Sequence, residues 1–491
     1  MNVLHIYPIC PKDNFWSSAG SLWFVGKKAA IAPLPAPTIG AMLPSDWNQK
    51  LVDMNIESLE DRDISWANMV FISAMIIQEK STLEVIARCR SLNKRMVAGG
   101  PLFFNAKPDD FPGVDHIFIG EAEITLPLFL KDLANGTAKR IYQSAEKPEL
   151  CLSPLPKIDL IKMQKYTIMP MQYSRGCPHR CEFCSVYAML GTKLRVKSPT
   201  QIIAELDAYY NAGWRGTIFF VDDNFIGLLH EARKMLTALI GWQKKHHFPF
   251  DFMTQTSIKL ADDDDLLKMM RLARFKKVFI GIETVNEASL KSCNKLQNTG
   301  RDLADCVKKI MRSGLQVMAG FIVGLDGDKL DIFRDLYDFI QKTGIVVAMV
   351  NPVLILPWTE LEKRMRKEGR LIADPEKDPG SFGLNYRPIM GARELMEGYR
   401  WLQEKLYGKK DYYRRVQQMI RNLKPTRGRM PSRVELRALF LSLWKIGILS
   451  HDWRYFRLLL RTFVEKTDLM TEAVQAAIMH VHYQRVVFHH K

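Results

Sequence analysis

The chain has 491 residues, 47% of them hydrophobic and 25% charged, with 70 Lys and Arg against 53 Asp and Glu, a net charge of +17. That length exceeds a single core and points to about three domains, and so ordinary a composition excludes a disordered or fibrous protein. No apolar run approaches the roughly 20 residues of a membrane-spanning helix, and the start, Met1 to Cys10, has no basic stretch ahead of an apolar core, so no secretory leader is expected.

Residues 1–146 alternate short β-type runs with helical ones. Strands are expected at 3–7, 49–55, 69–75, 94–101 and 114–123, with a helix from Lys80 to Leu92 between the third and the fourth. Strands separated by helices read as a parallel, doubly wound α/β sheet. A Pro-containing connector follows, from Lys147 to Pro156.

A second alternating series begins at Met169. Its strands are expected at 169–175, 217–224, 250–257, 277–283, 316–324 and 346–354, separated by helices at 199–212, 230–245, 262–273 and 300–314. Six β/α units without a two-way strand order read as a TIM-like barrel, complete or partial, over residues 147–374. Such barrels carry their chemistry at the C-terminal ends of the strands.

Beyond residue 375 the strand pattern stops, and helices are expected at 395–408, 411–423, 434–449 and 453–466 in an α-helical extension that runs to residue 491. Residues 391–491 hold 20 Lys and Arg against 9 Asp and Glu, so +11 of the total charge lies there. The stretch from Trp453 to Phe463 interleaves Leu and aromatic residues with Arg. That pattern suits a core-facing helix with a solvated basic face, or an amphipathic helix lying on an anionic membrane surface. His480, His482, His489 and His490 crowd the C-terminus, where a frayed end is expected rather than a metal site.

Eight cysteines are too sparse for a disulfide framework, and a reducing, cytoplasmic setting is expected. Three of them, Cys177, Cys181 and Cys184, follow the first barrel strand at C-x3-C-x2-C spacing. A structural zinc site takes four ligands, usually in two paired sets, and no second set lies nearby. Three thiolates on one tight loop suit three irons of a [4Fe–4S] cube, with the fourth iron left open as a ligand site.

The loop resembles that of the radical S-adenosylmethionine (SAM) enzymes, whose signature is C-x3-C-x-aromatic-C, with Phe183 in the aromatic slot. The resemblance implies that SAM chelates the open iron and that reductive cleavage of its sulfonium gives methionine and a 5′-deoxyadenosyl radical. It also implies an electron donor such as flavodoxin or ferredoxin. Residue by residue, it places Phe183 near the adenine and Asp222-Asp223 where the family holds the SAM amino group. Many members have Gly-Gly-Glu in that position, and an Asp-Asn turn would use the same residues. Glu283 matches the acid that takes the ribose hydroxyls, although an acid at a strand end can also cap the next helix. Gly320, Ile322 and Gly324 match the G-x-I-x-G whose backbone flanks the adenine, and Gln255 at a strand end is a pocket-lining candidate.

The front sheet joined to the barrel resembles the cobalamin-binding branch of this superfamily. Gly99-Gly100 and Gly120-Glu121 stand at strand ends where backbone can approach a nucleotide tail, although tight βα turns use the same residues. The Asp-x-His-x-x-Gly string that supplies a cobalt ligand in many cobalamin proteins does not occur, and the loop after the first strand reads Pro8-Ile9-Cys10-Pro11. The extension resembles one in a subgroup that includes hopanoid and chlorin methylases. These resemblances imply a cobalamin-dependent C-methyltransferase acting on an unactivated carbon of a small-molecule or lipid-like substrate. Radical cyclisation, rearrangement or oxidation without methyl transfer is the alternative. RNA modification ranks below both, because no second three-cysteine set or RNA-binding string is present.

Overall fold

Aliphatic runs broken by Gly, Asn and Pro set the strands at the head of the chain. In a computed structural model that describes residues 1–107, 109–425 and 432–488, they form six. These are β1 (Asn2–Tyr7), β2 (Asn48–Asp53), β3 (Met69–Ser73), β4 (Arg95–Gly99), β5 (His116–Ile119) and β6 (Ile141–Gln143). Contacts divide the chain into one unit of Met1–Leu22, Lys27–Ser174 and Arg195–Phe219, and a second of Trp23–Gly26, Arg175–Leu194 and Phe220–Lys491.

In the first unit the strands pair in parallel in the order β2-β1-β3-β4-β5-β6. The period of two sends alternate side chains to opposite faces. Leu4, Ile6, Val70 and Ile72 pack with Val85 and Ile86 of helix Glu79–Ser91. Val3, Met69 and Phe71 pack on the other face with Leu126 and Phe129 of helix Ala122–Ala134. Both faces are covered by helices, as a doubly wound sheet requires. The order reverses between β1 and β3, the kind of switch point where such sheets bind ligands. Two features lie outside the sequence expectation. The edge strand β6 has three residues, too few to show a period, and Ala29–Ile31 leaves this sheet to pair in parallel with Tyr166–Met171.

In the second unit β7 (Asp251–Thr256), β8 (Phe275–Glu283), β9 (Gln316–Val323) and β10 (Ala348–Pro352) pair in parallel in chain order. Helices Asp264–Leu272, Leu303–Arg312, Ile332–Thr343 and Glu360–Lys367 follow them in turn. Consecutive order without reversal is the pattern of a partial β/α barrel. Asp263 accepts a hydrogen bond from the Leu266 N–H at 2.8 Å, and Asp302 accepts one from the Asp305 N–H at 3.0 Å. Both are side-chain caps that fix where these helices begin.

The extension folds as helices Ala392–Tyr407, Lys409–Asn422, Arg433–Ser442 (continued as a wider turn, Leu443–Ile448), Trp453–Lys466 and Met470–Phe488. Gln403 donates to the Val350 carbonyl at 2.8 Å and Tyr407 to the Ala348 carbonyl at 2.5 Å, so the first of them covers the outer strand β10. Arg415 is fully buried and its guanidinium lies 5.2 Å from the Tyr412 ring centroid, donating to the Leu406 carbonyl at 2.9 Å. The expected frayed end is corrected at two of its four histidines. His480 and His482 are buried in the last helix, and His480 stacks on Tyr412 at 4.2 Å and bonds the Tyr407 carbonyl at 2.9 Å. Packing against the extension's own aromatic core outweighs terminal fraying; His489 and His490 lie outside the described residues. Among the described residues, no helix is long and apolar enough to cross a membrane.

Candidate functional site

The cysteine loop belongs to the second unit, and its shape begins with Gly176. That residue has φ +94°, and a Cβ there would sit 2.8 Å from the Lys193 carbonyl oxygen and 3.0 Å from that of Gly191. Only glycine lets the loop run so close to its own return segment. Cys177 N–H then donates to the Gly191 carbonyl at 3.3 Å, and Cys184 N–H closes a turn on the Cys181 carbonyl at 3.0 Å. Cys181 lies close enough to Cys177 and Cys184 to raise their proton affinity, and Cys177 close enough to Cys184 to do the same. Burial pushes the Cys177 thiol up and the Cys184 thiol up to about 12, with the neighbouring thiolates adding to both. Such thiols carry charge only when a cation takes the proton's place. Among the described residues no three His, Cys, Asp or Glu side chains converge on a single metal ion. In a cube the three thiolates bind three different irons.

Two segments hold the loop. On one side, Glu182 N–H donates to the Cys293 carbonyl at 2.9 Å, Asn294 Nδ2 to the Arg180 carbonyl at 2.7 Å, and Gln297 Nε2 reaches Cys181 Sγ at 3.7 Å. On the other, Arg364 grips the Glu182 carboxylate through Nε at 2.5 Å and Nη2 at 3.0 Å, and its Nη1 bonds Asp326. Leu361 N–H also donates to the Glu182 carbonyl at 3.0 Å. A charged fork on a carboxylate between Cys181 and Phe183 fixes the direction of the ligand-bearing turn.

The end of β8 reaches the same region. Glu283 adopts φ +64°, uncommon for a residue with a side chain, where the register with β9 shifts. The turn folds its carboxylate back onto Lys295 Nζ at 2.7 Å, over Gly281. A Cβ at Gly281 would lie 2.3 Å from Glu283 Oε1, so this glycine makes the space for the pair. Burial works against the Lys295 charge, but Glu283 and the Cys181 thiolate outweigh it and hold its pKa above the ordinary lysine range. Lys295 Nζ also lies 5.9 Å from the Phe183 ring centroid. The helix after Glu283 is capped by Asn286, whose side chain accepts from Ala288 N–H at 2.9 Å and Ser289 N–H at 3.1 Å. Helix capping therefore does not account for Glu283.

Asp222 is fully buried. Asp223 is close enough to Cys177 to raise its proton affinity, and burial lifts the Asp223 carboxyl to about 6. Asn224 accepts from Ser257 N–H at 3.3 Å, tying this turn to the end of β7, where the Gln255 carbonyl accepts from Phe225 N–H at 3.0 Å. Gly320 lies opposite Gly281, with the Phe279 ring 3.1 Å from where its Cβ would be, and Ile322 is half-buried on the same strand. Gly324 has φ +89° and makes room for Tyr386, whose hydroxyl donates to its carbonyl at 2.8 Å.

In the first unit, added Cβ atoms would meet backbone at Gly100 (Ala74 O, 2.8 Å) and Gly120 (Ser144 O, 2.9 Å), and side chain at Gly99 (Phe118 Cβ, 3.4 Å). Tight turns thus account for the first two glycines. Glu121 forms a two-pronged pair with Arg195 at 2.8 and 2.9 Å, both side chains almost wholly buried. At the switch point, Gln78 Nε2 donates to the Pro8 carbonyl at 2.6 Å and Ile9 N–H to Ser81 Oγ at 3.1 Å. Around those contacts Ile9, Met75, Ile76 and Ile77 stand exposed, a hydrophobic ledge beside the ends of β1 and β3. Sequence reading missed this ledge, Lys295 as the partner of Glu283, and Arg364. The ledge and Arg364 carry no local motif, and the pairing of Lys295 with Glu283 is made only by the fold.

Residues 171–340 match the radical SAM superfamily, and residues 359–490 match a domain of unknown function, DUF4070. An uncharacterised methyltransferase of Synechocystis is 37% identical over 93% of this chain and 86% of its own length. The hopanoid C-2 methylase of Rhodopseudomonas palustris is 31% identical over 86% of this chain and 81% of its own. Among solved structures, the radical SAM methyltransferase TsrM from Kitasatospora setae, with cobalamin and a [4Fe–4S] cluster bound, superposes with a TM-score of 0.62 at 12% identity. That match covers 97% of this chain and 99% of TsrM, and it shows a shared fold. This chain belongs to the radical SAM superfamily, in the family of the hopanoid C-2 methylase.

Proposed function

We propose that the protein is a cobalamin-dependent radical SAM C-methyltransferase acting on an unactivated carbon of a lipid-like substrate. The observation that carries the reading is the Cys177, Cys181 and Cys184 loop. Its mutually interacting thiols are pinned between the Lys295–Glu283 pair and the Arg364 fork in a chain 31% identical to a hopanoid methylase. Cys177, Cys181 and Cys184 would hold the cluster, and Lys295 would offset part of its negative charge. Glu283 would take the ribose hydroxyls of SAM, Asp222 and Asp223 its amino group, and Phe183 with the Gly320, Ile322 and Gly324 backbone its adenine. Gln255 would line the pocket.

The switch-point ledge of Ile9, Met75, Ile76 and Ile77 suits the flat face of a corrin, and the loop there offers no histidine to cobalt. Gly99, Gly100 and Gly120 would border the nucleotide tail, with Glu121 holding its strand end through Arg195. When bound, the cluster supplies the electron that opens the SAM sulfonium, and cobalamin supplies the methyl group. The chain's own part is to orient these groups and keep water from the radical. A flavodoxin or ferredoxin would deliver the electron, in a reducing cytoplasm that suits eight free cysteines.

The test is turnover with methyl-labelled SAM and a polycyclic triterpene lipid, with the product read by mass spectrometry. A product carrying the label supports the reading. An altered product without the label places the chain with the radical cyclases or oxidases, and 5′-deoxyadenosine with no lipid product removes the substrate class.

A further inference from the structure

Helices Arg433–Ser442, with its continuation Leu443–Ile448, and Trp453–Lys466 each bury one apolar face and expose another. Ala438, Ser442 and Ile446 of the first, and Tyr455, Leu458 and Thr462 of the second, face the interior. The two helices meet where Ser442 Oγ and Tyr455 OH lie 2.7 Å apart and Gly447 packs against the Phe456 ring.

The opposite sides are where a solvated surface would be polar, yet Leu436, Phe440, Trp444 and Ile448 stand exposed at four-residue spacing. On the second helix Trp453 is 78% exposed, Leu460 65% and Val464 76%, again one stripe of the helix. Exposed apolar surface on this scale marks an interaction site. Its flanks are cationic: residues 433–466 hold seven Lys and Arg against three Asp and Glu. Arg433, Arg437, Arg454 and Arg457 are exposed and make no ion pair among the described residues. Nearby, Lys445 lies over the half-exposed Trp23 ring at 4.5 Å.

We infer that this helix pair docks the protein onto an anionic lipid bilayer, with the apolar stripes in the interfacial layer and the arginines on lipid phosphates. Two outward tryptophans among aliphatic residues, with cations beside them, are the make-up of helices that lie in a membrane interface. Self-association through the same face would set like charges against each other, which disfavours a second copy as the occupant. A membrane also fits an enzyme whose substrate is a lipid, but the docking surface stands on these residues alone.

The test is co-sedimentation of the full-length, cluster-loaded protein with vesicles of phosphatidylcholine alone, or of phosphatidylcholine and phosphatidylglycerol in equal parts. Binding at least about tenfold tighter to the anionic vesicles is expected. Trp453→Ser/Leu460→Ser should weaken it by about tenfold, and Arg454→Glu/Arg457→Glu should abolish the preference for anionic lipid. These side chains are exposed, so the variants should keep wild-type circular dichroism and iron content. Equal binding to both vesicles, or anionic binding untouched by both double variants, would overturn the inference. So would a protein dimer, formed without lipid, that the apolar variant dissociates. Vesicle binding involves no turnover, so this result and that of the methyl-transfer test are read separately.

Discussion

Replacing Arg364 by alanine removes the fork that ties the cysteine loop to the segment beyond β10. The guanidinium makes two charged hydrogen bonds to Glu182, at 2.5 and 3.0 Å, with Glu182 14% exposed and Arg364 32%. Asp326 keeps a second partner in the variant, because Arg370 holds it at 2.6 Å. The loss therefore falls mainly on Glu182. Charged hydrogen bonds of this kind contribute a few kcal/mol, and partial exposure screens them, so the loop loses about 2 kcal/mol of its closed state. That raises the open population roughly thirtyfold. The assay is the anaerobic rate of iron loss to an excess chelator from the reconstituted protein. A rate raised by about the same roughly thirtyfold factor is expected, with the melting temperature nearly unchanged because the clamp is local. Arg364→Lys should fall between, since an ammonium cannot span both carboxylate oxygens. Iron loss within twofold of wild type in Arg364→Ala would show that the fork does not hold the loop closed.

At the proposed SAM site, Gly281→Ala would put a methyl group 2.3 Å from Glu283 Oε1 and 2.9 Å from Lys295 Nζ. It should weaken SAM binding by roughly tenfold or more, measured by calorimetry, while iron content stays at the wild-type level. In the first unit, Glu121→Ala leaves Arg195 charged and buried, and denaturant unfolding should show a loss of about 3–5 kcal/mol. A loss below about 1 kcal/mol would mean that Arg195 finds water or another partner. In the extension, burial holds the His480 pKa at about 4, with Arg415 and Lys409 lowering it and Asp452 and the Tyr407 carbonyl opposing them. Below pH 6.5 the unfolded histidine takes a proton that the folded one refuses, so this residue costs stability as pH falls from about 6.5 toward 4. The cost at pH 4 is about 3 kcal/mol. Melting temperatures should therefore fall less on acidification in His480→Gln than in wild type, and parallel curves would contradict the assignment.

Much of this fold could be read from the chain because its signals are local. Short β-type apolar runs marked strands such as β1, β3 and β8, and the cysteine spacing marked the loop at once. What escaped was non-local. Ile141–Gln143 and Ala29–Ile31 are three residues each, shorter than any period, and only pairing makes them strands. Lys295 comes twelve residues after Glu283, and Arg364 lies 182 residues beyond Glu182, so neither partner could be inferred from spacing. Glu121 shows the converse. It stands where a cofactor ligand was expected, but its carboxylate is taken by Arg195, 74 residues away. The tail reading was half right in physical terms. Trp453–Lys466 does pack one face inward, but the other face combines its arginines with exposed apolar side chains.

Anaerobic reconstitution in the presence of cobalamin, followed by counting iron and cobalt per chain, tests the cluster and the cobalamin site together. Wild type should hold about four irons and one cobalt, with 5′-deoxyadenosine formed on reduction with SAM. Cys181→Ala should lose 5′-deoxyadenosine formation while retaining cobalt. A Cys181→Ala protein that still cleaved SAM would contradict the cluster assignment. A wild-type protein holding about four irons and no cobalt would contradict the cobalamin-dependent methyl transfer.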